Sequence, residues 1–326
     1  EMEESDWSSD VCSSDLLGYA LYARYLARLF GADPARVTPA VASADGVDFI
    51  VMPPWKVFLI QLLNIAGLGP IFGALQGALF GPVAFLWIAL GSVFAGAVHD
   101  YLGGMISLRQ NGASLSEIQG RFLGLGMQRA MRFFTLLMMV LVGVVFVTGP
   151  AKLLASLTPA TLDTTFWVVV IFLYYFLATV LPIDMLIGRL YPVFGVALMV
   201  MALGVGGALL LKGYRIPEIS LANLHPQKLP IFPMLFITIA CGAISGFHAT
   251  QSPLMARCMA NERLGRPIFY GAMIAEGVIA LVWAAAGMAF YRGIPGLDQA
   301  LATSGPGGAV HTITTTLLGT TGGVLA

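Results

Sequence analysis

Charge is what this chain lacks most. Of its 326 residues only 10% are charged, and 17 Lys and Arg balance 17 Asp and Glu. A soluble domain carries about 25% charged residues, so no water-facing surface of ordinary composition can be drawn from this sequence. Without a basic excess there is no electrostatic footprint for a phosphate backbone, and nucleic acid is not an expected partner. Cysteine is scarce too. Cys12, Cys241 and Cys258 support no disulfide framework, and the Cys/His spacing matches no zinc site. There is no HExxH, no GxSxG and no phosphate loop with GK[ST], so no enzyme class is indicated and no cofactor or metal is implied.

Hydrocarbon is what the chain has in excess, with 58% hydrophobic residues and a mean hydropathy of +0.84. A bilayer core of about 30 Å needs roughly 20 apolar residues in a helix, and such runs recur. Seven full spans are expected, at 57–80, 82–108, 133–157, 164–182, 189–211, 231–250 and 268–291, followed by a Gly/Thr-rich segment at 307–326. The fold class is therefore all-α, a polytopic helical bundle whose partner over most of its surface is membrane lipid. Residues 17–30 are apolar but too short to cross, and read as the remnant of a first transmembrane helix. Residues 1–16 are acidic and Ser-rich, with no basic, apolar and small-residue succession of a signal peptide. They are expected to be a non-native or disordered tail and are set aside from the mechanism. If 108–132 is cytoplasmic, alternation places 12 of the 17 Lys and Arg inside, as the positive-inside rule requires.

Two spans contain residues that an ordinary helix avoids. The first, from Val57, has Gly67, Gly69 and Pro70 at its middle; the second, from Ile231, has Gly242 and Gly246 within it and Pro253 beyond. Four spans separate them, so a unit of five spans (57–211) is followed by an inverted second unit (231–326) that is incomplete. Broken helices at matching places in two halves point to a transporter's midplane site. A break frees N–H groups at the start of its second half, which suit an anion, and C=O groups at the end of its first, which suit a cation or protonated group. Gly67, Gly69 and Pro70, with Ser245, Gly246, His248 and Gln251, are the expected substrate-binding residues. Asn64 and Gln76 are the polar side chains expected near the first break.

Ionisable groups inside apolar spans are costly and should face the bundle interior. His99, Asp100 and Glu276 are the candidates for proton coupling, against the plainer reading of buried groups satisfied by hydrogen bonds. His248 can also shuttle protons. Asp184 and Arg189, on the turn PIDMLIGRLYP, are expected to pair locally, with gate closure as the sharper role.

Several long strings carry a resemblance. DGVDFIVMPPWKVFLIQLLNIAGLGPIFGALQGALFGP (45–82), FLWIALGSVFAGAVHDYLGGMISLRQNGASLSEI (85–118), LPIDMLIGRLYP (181–192) and CGAISGFHATQSPLMARCMANE (241–262) resemble the carbon starvation protein A (CstA) family of bacterial inner-membrane transporters. The resemblance implies uptake of pyruvate or short peptides during nutrient limitation, coupled to protons in pyruvate-type members. It also implies a LeuT-like five-plus-five inverted repeat, here truncated in the second repeat. Against the family pattern the first helix is partly replaced by the tail and the C-terminal spans are missing, and Thr312, Thr314, Thr315 and Thr316 are expected on a helix lining the first break. The expected partners are a small carboxylate or peptide, protons and lipid. A passive channel and a membrane-embedded nutrient sensor are the alternatives.

Overall fold

Apolar runs this long, without alternating polar positions, can satisfy their backbone in a bilayer only as helices, and every element among the described residues is helical. The computed structural model describes residues 13–159, 161–180 and 183–325, less the side chains of 156, 157, 178, 180, 183–190 and 320–325. Two units emerge, residues 113–190 and the remainder.

The larger unit contains, in chain order, α1 (13–30), α2 (Pro54–Ala66), α3 (Gly69–Phe80) and α4 (Val83–Arg109). In the smaller unit are α5 (Leu115–Leu123), α6 (Leu125–Leu157) and α7 (Thr164–Val180). The chain then forms α8 (Ile183–Leu211), which belongs to the larger unit from Tyr191, followed by α9 (Ile231–Thr238), α10 (Ala240–Ala243), α11 (His248–Ala256), α12 (Glu262–Phe290) and α13 (Ile294–Leu325). Residues 13–16, expected as tail, are helical and belong to α1; residues 1–12 lie outside the described residues.

Four of these helices are long and apolar enough to cross a membrane alone: α4, α6, α8 from Tyr191, and α12. Two bent pairs, α2 with α3 and α9 with 240–256, raise the total to six. Of the seven expected spans, the one at 164–182 is described as α7 over 17 helical residues, about 26 Å, and residues 181 and 182 lie outside the described residues.

Helix α12 is the centre of the larger unit: 78% of its apolar window is buried. Its sequence explains this, because Gly277, Ala280, Ala284 and Gly287 let α2, α3 and α4 approach closely while Trp283 and Phe269 fill the remaining space. In the smaller unit a capping box starts α5, with the Ser114 N–H donating to Glu117 at 2.8 Å and Ser114 Oγ accepting from the Glu117 N–H. Helices α6 and α7 form an antiparallel hairpin, pinned where Trp167 Nε1 donates to Thr158 Oγ1 at 3.0 Å and Tyr175 Oη to the Phe146 carbonyl at 3.3 Å. Phe133, Leu137, Val140 and Val144 on α6 are exposed, which suits an acyl environment.

Candidate functional site

The first break lies where Gly67 takes φ 49°, ψ −138°, a conformation closed to other residues, and α3 resumes from Gly69 at a 50° bend. The second is a double interruption. Ile239 leaves helical geometry after α9, one turn (α10) follows, and then Ile244 to Phe247 separate α10 from α11; the pair is bent by 73°. Ser245, not a glycine, holds the positive φ of 50°. Of the two glycines expected within this broken span, Gly246 lies in the interruption and Gly242 does not. Gly242 is helical and serves close approach, since a Cβ there would stand 2.9 Å from Ala280 Cβ on α12. Gly246 is exposed with open space around it.

The two breaks are pressed against each other. Gly69, Gly73 and Gly77, one turn apart on α3, meet the Cys241 side chain, the Thr238 carbonyl and the Ile239 side chain in turn. The last carbonyls of α2 have no acceptor role left within their own helix. Ser245 Oγ donates to the Ile65 carbonyl at 3.0 Å, and the Cys241 thiol reaches the Ala66 carbonyl at 3.9 Å. Pro70 is buried beside Gly242. Part of α13 also packs on α3, with Thr314 buried but bonded to its own helix at the Val310 carbonyl.

One turn from this crossing, α4, α11 and α2 bring a polar cluster together. Asp100 of α4 is fully buried; Gln61 Nε2 of α2 donates to both its oxygens at 2.9 Å, and Ser252 Oγ of α11 donates to Oδ1. His248, one turn before Ser252, places Nε2 3.8 Å from Asp100 Oδ2 and Nδ1 3.4 Å from His99 Nδ1, with the two imidazole rings stacked at 5.5 Å. Two ring nitrogens at that separation attract only when one carries hydrogen and the other does not. The 3.8 Å approach to a carboxylate oxygen likewise becomes a bond only with a proton between the two atoms. Glu276 sits on α12 one turn before Ala280, so it faces the crossing; both its carboxyl oxygens are buried without a hydrogen-bond partner among the described residues.

The structure thus gathers Gly67, Gly69, Pro70 and Ser245 at the crossing, His99, Asp100 and His248 beside it, and Glu276 within one turn. Gln251 is half-buried on α11. Asp184 and Arg189 fall in the first turns of α8, with side chains outside the described residues. Gln61 was missed. Asn64 and Gln76 had been expected near the break instead, yet Asn64 is only half-buried and Gln76 is exposed. A 3.6-residue count from Ile65 would have found Gln61 on the buried stripe of α2. No group of three or more potential metal ligands occurs among the described residues.

Comparison with known proteins gives a consistent picture. Residues 11–162 and 150–294 match the model of a family described as carbon starvation protein CstA. A Haemophilus influenzae protein described as an uncharacterized membrane protein is 42% identical, over 88% of this chain and 91% of its own. The Escherichia coli pyruvate/proton symporter BtsT is 28% identical over 82% of this chain, and the Escherichia coli peptide transporter CstA is 28% identical over the same share. This chain spans about half the length of those two relatives, 46% and 47%. No solved structure matches.

Proposed function

The chain belongs to the carbon starvation protein CstA family, and from that premise we propose that it is a secondary active transporter of the bacterial inner membrane, importing pyruvate or short peptides together with protons. What carries this reading is the interlock of the two breaks, Ser245 on the Ile65 carbonyl, beside the buried Asp100 and His248, with the exposed His99 ring stacked on His248. A polypeptide interrupts helices within the bilayer only where protein or cargo satisfies the freed groups. In the proposed cycle the N–H groups at the starts of α3 and α11 receive the substrate carboxylate. A proton taken up between Asp100 and His248 neutralises the carboxylate, and release toward His99 resets it. Glu276 is the second protonatable group, close enough to the crossing to feel the charge of a bound anion. The spans are arranged as two inverted repeats of the LeuT-like kind, and Asp184 with Arg189 serves as a gate. Pyruvate and peptides share the carboxylate, and the relatives' names divide between them.

The test is uptake of [14C]pyruvate into proteoliposomes holding the chain, with a dipeptide as competitor and an alkaline interior. Accumulation driven by the gradient is expected, and Asp100→Asn should reduce it to the level seen without a gradient while pyruvate/pyruvate exchange persists. Uptake indifferent to the gradient would remove proton coupling; absence of both uptake and exchange for either substrate would remove the transport reading.

A further inference from the structure

At the end of α1 and the start of α12 a cleft of about 720 Å³ is lined by Arg24, Arg28, Arg263 and Arg266. Arg24 and Arg28 are one turn apart on α1, and Arg24, Arg28 and Arg263 are exposed. The acidic residue in the cleft wall, Glu262, does not neutralise them. Its oxygens are already held by Arg109 at 2.9 and 3.0 Å, by Arg36 at 3.2 Å and by the Asp33 N–H at 2.8 Å. Four arginines therefore line one cleft and, among the described residues, none of the four forms an ion pair with a carboxylate.

Pro267 lies in the wall of this cleft and also in the wall of an apolar groove of about 360 Å³. Tyr19, Phe58, Ala202, Leu203, Val278 and Val282 are among the residues that line the groove. The join is marked by Arg266, whose guanidinium stands 5.3 Å from the Tyr19 ring centroid. From Pro267 to Val282 the groove follows fifteen residues of α12, about 22 Å at the helical rise. Half of a bilayer's hydrocarbon core is about 15 Å. A basic cleft that shares the Pro267 wall with an apolar groove longer than one leaflet has the shape and charge of one class of molecule.

We infer that this is a binding site for an anionic phospholipid, with the phosphate among Arg24, Arg28, Arg263 and Arg266 and one acyl chain along the groove. Arginine suits the phosphate because its planar fork matches two oxygens at once. The four arginines are among those that the charge count places on the cytoplasmic side, so the ligand belongs to the inner leaflet. A soluble phosphate would need the cleft but not the groove.

The experiment uses the purified chain in native mass spectrometry, counting phosphatidylglycerol against phosphatidylcholine of the same acyl chains, with sn-glycerol 3-phosphate as a separate arm. One phosphatidylglycerol should be retained in preference to phosphatidylcholine. Each arginine beside an anionic headgroup is worth about fivefold in affinity, so Arg24→Gln with Arg28→Gln, and separately Arg263→Gln with Arg266→Gln, should each lower the preference about twenty-fivefold. Arg129→Gln with Arg132→Gln, on α6, should leave it unchanged. Raising the salt concentration should erase the preference in the unaltered chain, a readout that needs no variant. Equal retention of the two lipids, or binding of glycerol phosphate without lipid preference, would overturn the inference.

Discussion

Ser245 shows how one residue serves two opposed demands. A side chain at φ 50° costs about 1–2 kcal/mol relative to an unstrained backbone, and glycine would avoid that cost. The serine hydroxyl, however, is the buried donor to the Ile65 carbonyl. Leaving a buried acceptor unpaired costs about 1–3 kcal/mol. Ser245→Ala keeps the strain and loses the bond, so it should destabilise the chain by about 2 kcal/mol in denaturant titrations in mixed micelles. Ser245→Gly loses the bond but relieves the strain, and should cost less by about 1 kcal/mol; a glycine variant as unstable as the alanine variant would show that the backbone stores no strain there. At this scale the sequence was partly legible. His99, Asp100 and His248 stood out because charge is so rare in these spans, whereas Gln61 is a neutral amide whose importance lies in donating from Nε2 to the Asp100 carboxylate and to Ser252 Oγ. Nothing in composition separates it from Asn64 or Gln76; only the face of α2 does.

Between elements, the decisive contact is the glycine row of α3 on the second break. A Cβ at Gly73 would lie 2.8 Å from the Thr238 carbonyl oxygen, a backbone atom that cannot swing aside. Gly73→Ala should therefore push α3 off the second break at a cost of about 1–3 kcal/mol, while Gly103→Ala, on α4 with nothing within 4 Å, should be neutral or slightly stabilising. Paired thermal melts of the two variants, with gradient-driven uptake, check this; equal melting temperatures would mean that the breaks do not rely on that close approach. Both breaks were legible as Gly and Pro inside apolar runs, because those residues are rare there without a reason. The exact turning point of the second was not. Gly242 looks like a helix breaker in sequence and is a packing surface in the fold, and the turn falls on a serine that no propensity singles out.

For the whole molecule, the all-helical architecture and the place of the long apolar helices could be read from hydropathy, since a bilayer leaves so few ways to satisfy a backbone. Loop ties could not, because they depend on pairings across more than two hundred residues. Glu262 is the clearest. Fully buried, it binds Arg109 at the end of α4 together with Arg36 and the Asp33 N–H on the segment after α1. Nearby, Thr38 Oγ1 donates to the Met259 carbonyl at 2.6 Å and the Met52 N–H to the Cys258 carbonyl at 3.1 Å, so residues 33–52 are strapped over 258–262. Glu262 is buried but Arg109 and Arg36 are partly exposed, so removing its charge costs less than the roughly 3–5 kcal/mol of a fully buried pair, and still enough to open such a strap locally. Cys258 reports on it, being a free thiol only 8% exposed. In a Cys12→Ser, Cys241→Ser background, Glu262→Gln should raise the rate of Cys258 alkylation by a membrane-impermeant maleimide at least about tenfold, and in inside-out vesicles only. An unchanged rate would mean that Glu262 does not hold the strap closed, and faster labelling from the outer side would reverse the orientation assigned from the lysines and arginines.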